Sequence, residues 1–242
     1  MNLLAFDTST DTLSIAVQRG DATWEHSGPG GAQASATLLP AIRALLADAG
    51  LSFDTLDAVV FGRGPGSFTG LRTACSVAQG LAFGARGGAG VPVLPIDTLL
   101  ALAEAARQAQ GCTRVVAVLD ARMDEVYTAR FELQGDGQWL GEGDFGLCAP
   151  QAVHVPPGYT VAGNARAAYG ERLAPQALHV SALPTATALL RLAPSRLAAG
   201  KGQPASEALP LYVRDKVAQT TAERMAAKHA AAAAPTQPSP AP

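Results

Sequence analysis

Apolar runs that end in polar residues open the chain. Leu3 to Phe6 forms a short apolar run that stops at Asp7. Leu13 to Val17 then alternates between apolar and polar positions, and Ala22 to Glu25 follows a Gly20-Asp21 turn. Period-two alternation bounded by turn residues is typical of β-strands. The first 25 residues therefore predict three strands, the first of them buried.

Helical spacing takes over after a glycine-rich loop at residues 27–31. Apolar residues recur at intervals of three and four between Ser35 and Ala49, and again after the glycine loop at residues 62–70. Alternating helices and strands are therefore predicted: a helix at 35–49, a strand at 58–61, a helix ending near Ala85, a strand at 91–96, and a helix capped by Asp97 or Thr98 that runs to about Gln110.

The second half repeats this order. Val115 to Leu119 is an apolar run that stops at Asp120, Glu125 to Leu133 alternates, and a third strand is predicted around Trp139. A strand at 159–162, a helix from Ala165 and a helix at 185–199 follow. The shared order indicates an internal duplication, and it favours an α/β fold with mixed sheets covered by helices.

Composition narrows the class of protein. Of 242 residues, 48% are hydrophobic and 16% charged, so the chain can bury a core. A net charge of −2 argues against a broad basic face for nucleic acid. The three cysteines are too widely spaced for a disulfide framework or a zinc site, and no apolar segment is long enough to cross a bilayer. We expect a cytoplasmic protein without membrane contact, with residues 218–242 as a disordered tail because their composition is rich in alanine and proline.

The loop from Gly62 to Arg72 is rich in glycine and proline, which interrupt helices and strands. Four glycines and a proline fall within nine residues, between a strand and a helix that Ser67 or Thr69 could cap. Such a loop offers backbone amides and the positive end of a helix dipole, which favour anions. The window between Asp57 and Asp97 contains arginines but no acid. Neither the Walker spacing nor the dinucleotide-binding spacing fits, so an anion or partner site and a tight structural turn both stay open.

Asp7 and Asp120 occupy matching positions, each closing the leading strand of its half. Two carboxylates facing a common cleft could hold a magnesium–nucleotide complex, and ordinary strand-end hydrogen bonding is the alternative. With the loop, they give the candidate cofactor-binding residues Asp7, Gly64, Gly66, Ser67 and Asp120. The four histidines are scattered, and Ser67 lacks the spacing of a hydrolase nucleophile, so we predict neither a metal site nor a catalytic triad.

Four segments together resemble one known family. The loop Gly62–Arg72, with Leu3–Ser9 before it and Asp120–Tyr127 and Pro210–Arg214 after it, is similar to TsaB, also called YeaZ. The similarity extends over about residues 1–217. It implies a two-lobed actin-like fold of the sugar-kinase and chaperone-ATPase type, related to RNase H. The predicted lobes are residues 1–108 and 109–217.

The resemblance also implies a function in making threonylcarbamoyladenosine in tRNAs that read codons beginning with adenine. In that pathway TsaD is the transferase, TsaE is a small ATPase, and TsaB is a non-catalytic partner that pairs with TsaD or with itself. Contact with tRNA is then expected only through the complex. TsaD holds its metal with histidines on its first long helix, and residues 33–37 here contain none, which agrees with a non-enzymatic subunit.

The resemblance also implies that a partner binds to the first two long helices, which here are 35–49 and 69–85. The candidate contact residues are Leu39, Arg43, Ser67, Phe68, Leu71, Arg72, Ala74 and Ala78. No cofactor is firmly implied beyond weak nucleotide binding at the interface of the complex. Two other functions stay open: an ATP-binding actin-fold phosphotransferase or ATPase that uses Asp7, Asp120 and the 62–70 loop, and a peptidase of the glycoprotease type.

Overall fold

The computed structural model describes residues 1–141, 143 and 145–214. The predicted tail at 218–242 lies outside these residues. The first sheet has the strand order β3-β2-β1-β4-β5. Its strands are β1 (Asn2–Asp7), β2 (Thr12–Arg19), β3 (Ala22–Pro29), β4 (Ala58–Gly64) and β5 (Val93–Asp97).

A second sheet is built from the other half of the chain, in the order β11-β10-β6-β7-β8, with β9 also paired to β7. Its strands are β6 (Arg114–Arg122), β7 (Glu125–Leu133), β8 (Trp139–Leu140), β9 (Gly146–Cys148), β10 (Thr160–Gly163) and β11 (Leu178–Ser181).

The two sheets share one topology. In each, the leading strand pairs antiparallel with the strand that follows it, and parallel with the strand that arrives after a longer connection. The outer strand on that side is again parallel. The predicted duplication is therefore confirmed, and Asp7 and Asp120 lie at corresponding ends of β1 and β6.

Five α-helices cover these sheets within the described part of the chain: α1 (Ala34–Asp48), α2 (Phe68–Gly84), α3 (Thr98–Gln110), α4 (Ala165–Tyr169) and α5 (Ala186–Ala198). The helices α1 and α2 pack on the outer face of the first sheet, where Leu38, Ile42 and Ala78 are fully buried. By contrast, α3 and α5 lie between the two sheets, in a core that includes residues of both. None of the helices in the described residues is long and apolar enough to span a bilayer.

The structure corrects several local expectations. β3 continues to Pro29, because residues 26–29 pair in register with the first residues of β2 instead of forming a loop. Strand β4 likewise extends through Gly64. Ser67 and Asp97 occupy helix N-cap positions, but neither side chain accepts a hydrogen bond from its helix. Asp97 instead pairs with Arg63, as described below.

Candidate functional site

The glycine loop packs directly against the end of β1. A Cβ atom on Gly62 would lie 1.8 Å from Oδ2 of Asp7, and one on Gly70 would lie 1.8 Å from the carbonyl oxygen of Thr8. Hydrogen bonds also join the two segments: Thr8 Oγ1 donates to the carbonyl of Gly70 at 2.7 Å. The backbone amide of Ser67 donates to the carbonyl of Ser9, also at 2.7 Å. Glycine is therefore required at these positions by close backbone packing, which supports the structural-turn interpretation of the loop.

Asp7 is fully buried beneath this loop. Its Oδ1 accepts hydrogen bonds from the amide and the hydroxyl of Ser9 at 2.8 and 2.5 Å, and the hydroxyl of Thr98 lies 3.4 Å from Oδ2. Burial raises the pKa of Asp7, while the hydrogen bonds from Ser9 and Thr98 act in the opposite direction. The carboxyl group is thus an internal acceptor that fixes the end of β1.

The arginines around the loop already have partners. Arg63 pairs with Asp97 at 2.6 Å, and Arg86 pairs with Asp57 at 3.0 Å. These two acids are the ends of the acid-free window in the sequence. Two of the three arginines in that window, Arg63 and Arg86, are therefore paired with acids, because chain folding brings the acids at its two ends back to them.

A cleft of about 310 Å³ lies between the lobes, at the ends of β1 and β6. It is lined by residues from distant parts of the sequence, including Ser9, Thr10, Asp11, Gly66, Ser67, Phe68, Asp120, Arg122, Met123, Asn164, Tyr212 and Arg214. Gly66, Ser67 and Asp120 are therefore brought together here. Asp7 and Gly64 are not among the lining residues. A Cβ atom on Gly64 would lie 2.5 Å from the carbonyl oxygen of Leu211, so this glycine is covered by the C-terminal segment.

Asp120 is held in place by its own lobe. Its Oδ1 accepts hydrogen bonds from the amide of Arg122 at 2.8 Å and from the hydroxyl of Tyr169 at 2.7 Å. Its own amide donates to Oδ1 of Asn164 at 2.9 Å. Burial, together with the hydrogen bond to Asp120 and its charge, raises the pKa of Tyr169 to about 12. Tyr169 therefore stays protonated at neutral pH and donates to Asp120.

The residues that sequence reasoning left without a role lie in the C-terminal segment. The amide of Leu211 donates to the carbonyl of Arg63 at 2.7 Å. Tyr212 lies against Phe68 with 4.9 Å between ring centroids, and Arg72 donates to its hydroxyl at 3.1 Å. The guanidinium of Arg72 also lies 3.8 Å from the centre of the Phe68 ring. The Pro210–Arg214 motif was the available signal, but sequence alone could not place it on α2.

Metal-binding residues do not cluster in the described part of the chain: no group of three or more His, Cys, Asp or Glu side chains comes together there. His179 hydrogen-bonds through Nε2 to the carbonyl of Ala174 at 3.0 Å. His229 lies outside the described residues.

Known proteins are similar to this chain over most of its length. The family model described as "TsaD: tRNA N6-adenosine threonylcarbamoyltransferase" matches residues 29–234. The curated "tRNA threonylcarbamoyladenosine biosynthesis protein TsaB" of Escherichia coli K12 is 33% identical over 90% of this chain and 96% of its own length. The Haemophilus influenzae protein of the same name is 38% identical over 90% and 95%. The chain belongs to the TsaB (YeaZ) family.

A solved structure supports this assignment. YeaZ from Pseudomonas aeruginosa superposes with a TM-score of 0.80 and 40% sequence identity, covering 88% of this chain and 99% of that one. The resemblance to TsaB and the two-lobed actin-like fold that it implied are both confirmed.

The candidate partner residues of this TsaB-family chain fall into three groups. Leu39, Arg43 and Arg72 are exposed. Ser67 and Phe68 are half-buried, since they line the cleft and Phe68 contacts Tyr212. Leu71, Ala74 and Ala78 are buried against the first sheet.

Besides Arg72, the exposed side of α2 carries residues outside the candidate set. Ser76, Gly80 and Gly84 follow at four-residue spacing and are exposed. Phe83 beside them is 75% exposed. Small residues occur on both sides of α2, so residue size alone did not distinguish the exposed side from the buried one.

Proposed function

We propose that the chain is a non-catalytic subunit in tRNA threonylcarbamoyladenosine biosynthesis that binds and activates the transferase TsaD, together with the ATPase TsaE. The observation that carries this proposal is the match to TsaB proteins over 95–96% of their length. The buried, internally hydrogen-bonded state of Asp7 also supports a structural role for this carboxylate. Contact with tRNA is proposed to occur only through the complex.

The proposed partner surface is the exposed side of α1 and α2. Both helices cover the same face of the first sheet, so their exposed sides point the same way. On α1 the surface contains Leu39 and Arg43, and on α2 it contains Ser76, Gly80 and Phe83. Small residues allow a partner helix to approach closely, and exposed Leu39 and Phe83 supply apolar area for it to bury. A second copy of the chain could use the same surface.

Gly80→Arg tests this surface. The position is exposed, and a Cβ atom placed on it would have no neighbour beyond its own helix within 4 Å. Arginine is also a better helix former than glycine, so the variant should fold. An arginine here would hold a partner helix away. We expect the Kd for TsaD, measured by analytical ultracentrifugation, to rise at least about tenfold, a loss of about 1.4 kcal/mol.

Gly135→Arg is the matched control. Gly135 lies in the turn before β8 of the second lobe and has equally open surroundings. The Gly135→Arg variant should bind TsaD with the same Kd as the unmodified chain. Equal binding by both variants would exclude this side of α2 as the interface. Full tRNA modification in a reconstituted mixture that lacks this chain would overturn the subunit role itself.

Nucleotide binding in the cleft is the second candidate, favoured by the meeting of Gly66, Ser67 and Asp120 at the start of α2. Calorimetry with Mg-ATP tests it on the isolated chain and on its complex with TsaD. Micromolar binding that Asp120→Asn abolishes would support a nucleotide site. Binding that Asp120→Asn leaves unchanged would place any nucleotide elsewhere.

A further inference from the structure

The segment between α5 and Arg214 runs along the first lobe before it reaches the second. Gln203 pairs with Val93 of β5 through reciprocal backbone hydrogen bonds of 2.9 Å. The carbonyl of Ala208 accepts hydrogen bonds from Gln79 Nε2 at 2.9 Å and from the thiol of Cys75 at 3.3 Å. Leu211 and Tyr212 then attach to Arg63, Phe68 and Arg72 as described above. Residues 203–212 are thus fixed to the first lobe at four successive points.

Arg214 then crosses to the second lobe. Its guanidinium donates to Oε2 of Glu125 at 2.6 Å and to the carbonyl of Arg122 at 3.3 Å, and Nη1 lies 3.6 Å from Sδ of Met123. The three partners lie at the β6–β7 turn: Arg122 ends β6, Met123 follows it, and Glu125 begins β7. The side chain of Arg214 is only 12% exposed, whereas that of Glu125 is 38% exposed, so the pair is partly shielded from water on the Arg214 side. Charge-assisted hydrogen bonds in such surroundings are stronger than those on an open surface.

The turn that receives Arg214 has an unusual backbone. Arg122, Met123 and Asp124 all have positive φ angles, of 61°, 55° and 61°. Residues with side chains adopt this left-handed region at an energetic cost, so neighbouring contacts must hold the turn in this form. Asp124 is held by a bidentate ion pair with Arg172 of the same lobe. Arg214 adds contacts from the segment that is attached to the first lobe.

Another ion pair joins the lobes at this edge of the cleft. Arg122 pairs with Asp11, but their side chains are 68% and 80% exposed. Exposed pairs are hydrated and screened by salt, so they contribute little. The shared core around α3 and α5 joins the two sheets between their inner faces, whereas Leu211, Tyr212 and Arg214 line the cleft itself.

We propose that residues 203–214 form a latch that holds the two lobes closed over the cleft, with Arg214 as the positioning residue that fixes the β6–β7 turn. The cleft of this chain is then held at one width by the polypeptide itself, whatever the chain binds. Removing the contact of Arg214 should let the cleft widen, while the core around α3 and α5 keeps the two sheets joined.

Pulsed electron paramagnetic resonance measures the distance between the two lobes in the full chain. Nitroxides would be attached to Thr69→Cys and Ala167→Cys in a background carrying Cys75→Ser, Cys112→Ser and Cys148→Ser, because serine keeps a donor for the carbonyl of Ala208. Both sites are exposed and lie near the starts of α2 and α4, one in each lobe. We expect a narrow distance distribution that Arg214→Gln broadens and shifts to longer distances, with a smaller change in Arg214→Lys because the charge is kept.

Arg172→Gln is the control, because it also removes an arginine contact with the β6–β7 turn, but Arg172 belongs to the second lobe and pairs there with Asp124. It should leave the distribution unchanged. An unchanged distribution in Arg214→Gln, with folding verified by circular dichroism, would overturn the latch. An equal change in Arg172→Gln would also overturn it, because the effect would then come from loosening the turn and not from a link between lobes.

Cys75 can be used to test how the latch is attached to the first lobe. Its side chain is 5% exposed, and its thiol donates a hydrogen bond to the carbonyl of Ala208. In a chain whose other two cysteines are serine, the rate of maleimide labelling reports detachment of the segment. Tyr212→Ala should raise this rate about tenfold, because it removes the contacts with Phe68 and Arg72. A rate that stays within twofold of the unmodified chain would show that the segment is not held by Tyr212.

Discussion

Among single residues, Thr8 and Gly70 show how narrowly the glycine loop is fitted to the end of β1. The carbonyl of Thr8 points at the Cα of Gly70, while its hydroxyl donates to the carbonyl of the same glycine. Both groups in the close contact are backbone, so neither can rotate away from an added side chain. The neighbouring Ser9 donates its amide and its hydroxyl to Oδ1 of Asp7. These contacts position the first turn of α2, which lines the cleft.

Gly70→Ala should therefore destabilise the protein by about 3 kcal/mol, the upper part of the range for overpacking a well-filled core. Urea unfolding followed by circular dichroism measures the change. Gly80→Ala, in the same helix but with open surroundings, should instead stabilise the protein by about 0.5–1 kcal/mol, because alanine is the better helix former. Similar effects at the two positions would contradict the role of the Thr8 contact.

Among the helices and strands, Glu104 joins three segments between the two sheets. It lies on α3 and accepts hydrogen bonds from Arg107 at 2.8 and 2.7 Å, from Nε1 of Trp139 at 3.1 Å and from Arg191 on α5 at 3.1 Å. Burial alone would raise the pKa of Glu104. The hydrogen bonds from Arg107 and Trp139, with the charges of Arg107 and Arg191, outweigh burial and lower the pKa. A buried carboxylate thus ties α3, α5 and β8 together.

Glu104→Gln should cost about 2 kcal/mol at neutral pH, because the amide nitrogen presents a donor to groups that are themselves donors. The folded-state pKa is below that of the unfolded chain, so the ionised carboxylate stabilises the protein above the unfolded-state pKa. This contribution is lost as the pH falls through the folded-state pKa. Denaturant unfolding should therefore show a difference between variant and unmodified chain that shrinks below about pH 4.

Glu171→Gln is a suitable control for Glu104. The side chain of Glu171 is 77% exposed and forms a surface ion pair with Arg166. Its substitution should change stability by less than about 1 kcal/mol. A pH-independent difference for Glu104→Gln would show that packing of the side chain, and not its charge, holds the three elements.

Across the whole molecule, the two lobes share one core. α3 follows the first sheet in sequence but packs on β6, and α5 follows the second sheet but packs on β1 and β2. The amide of Ala186 at the start of α5 donates to Oγ of Ser14 on β2 at 2.8 Å. Each sheet is therefore covered on its inner face partly by a helix from the other half. The lobe boundary near residue 108 stays a prediction, and neither half can bury this face alone.

The two lobes should consequently unfold together. The chain has two tryptophans, Trp24 on β3 and Trp139 on β8, so Trp24→Phe and Trp139→Phe each leave a fluorophore in one lobe. We expect the fluorescence midpoint of each variant in urea to coincide with its own midpoint by circular dichroism, as in a two-state transition. A separate transition for either tryptophan would show that the lobes are independent folding units.

Much of this fold could be predicted from the sequence. Hydrophobic periodicity predicted most strands and helices and the duplicated order, because alternation and helical spacing report which side of each element is buried. The glycine loop was also readable as a strand–turn–helix connection. Its resemblance to TsaB came from short motifs whose order along the chain is fixed.

Which contacts these elements make depended on the tertiary structure. Ala78 and Gly80 lie two residues apart on a helix of small residues, and packing on the first sheet, not composition, buried one and exposed the other. Asp97 was available as a helix cap, but Arg63, 34 residues away, pairs with it. Arg214 and Glu125 meet across 89 positions. Local patterns record the preference of a residue for burial or for a backbone conformation, whereas its partner depends on how distant segments are brought together.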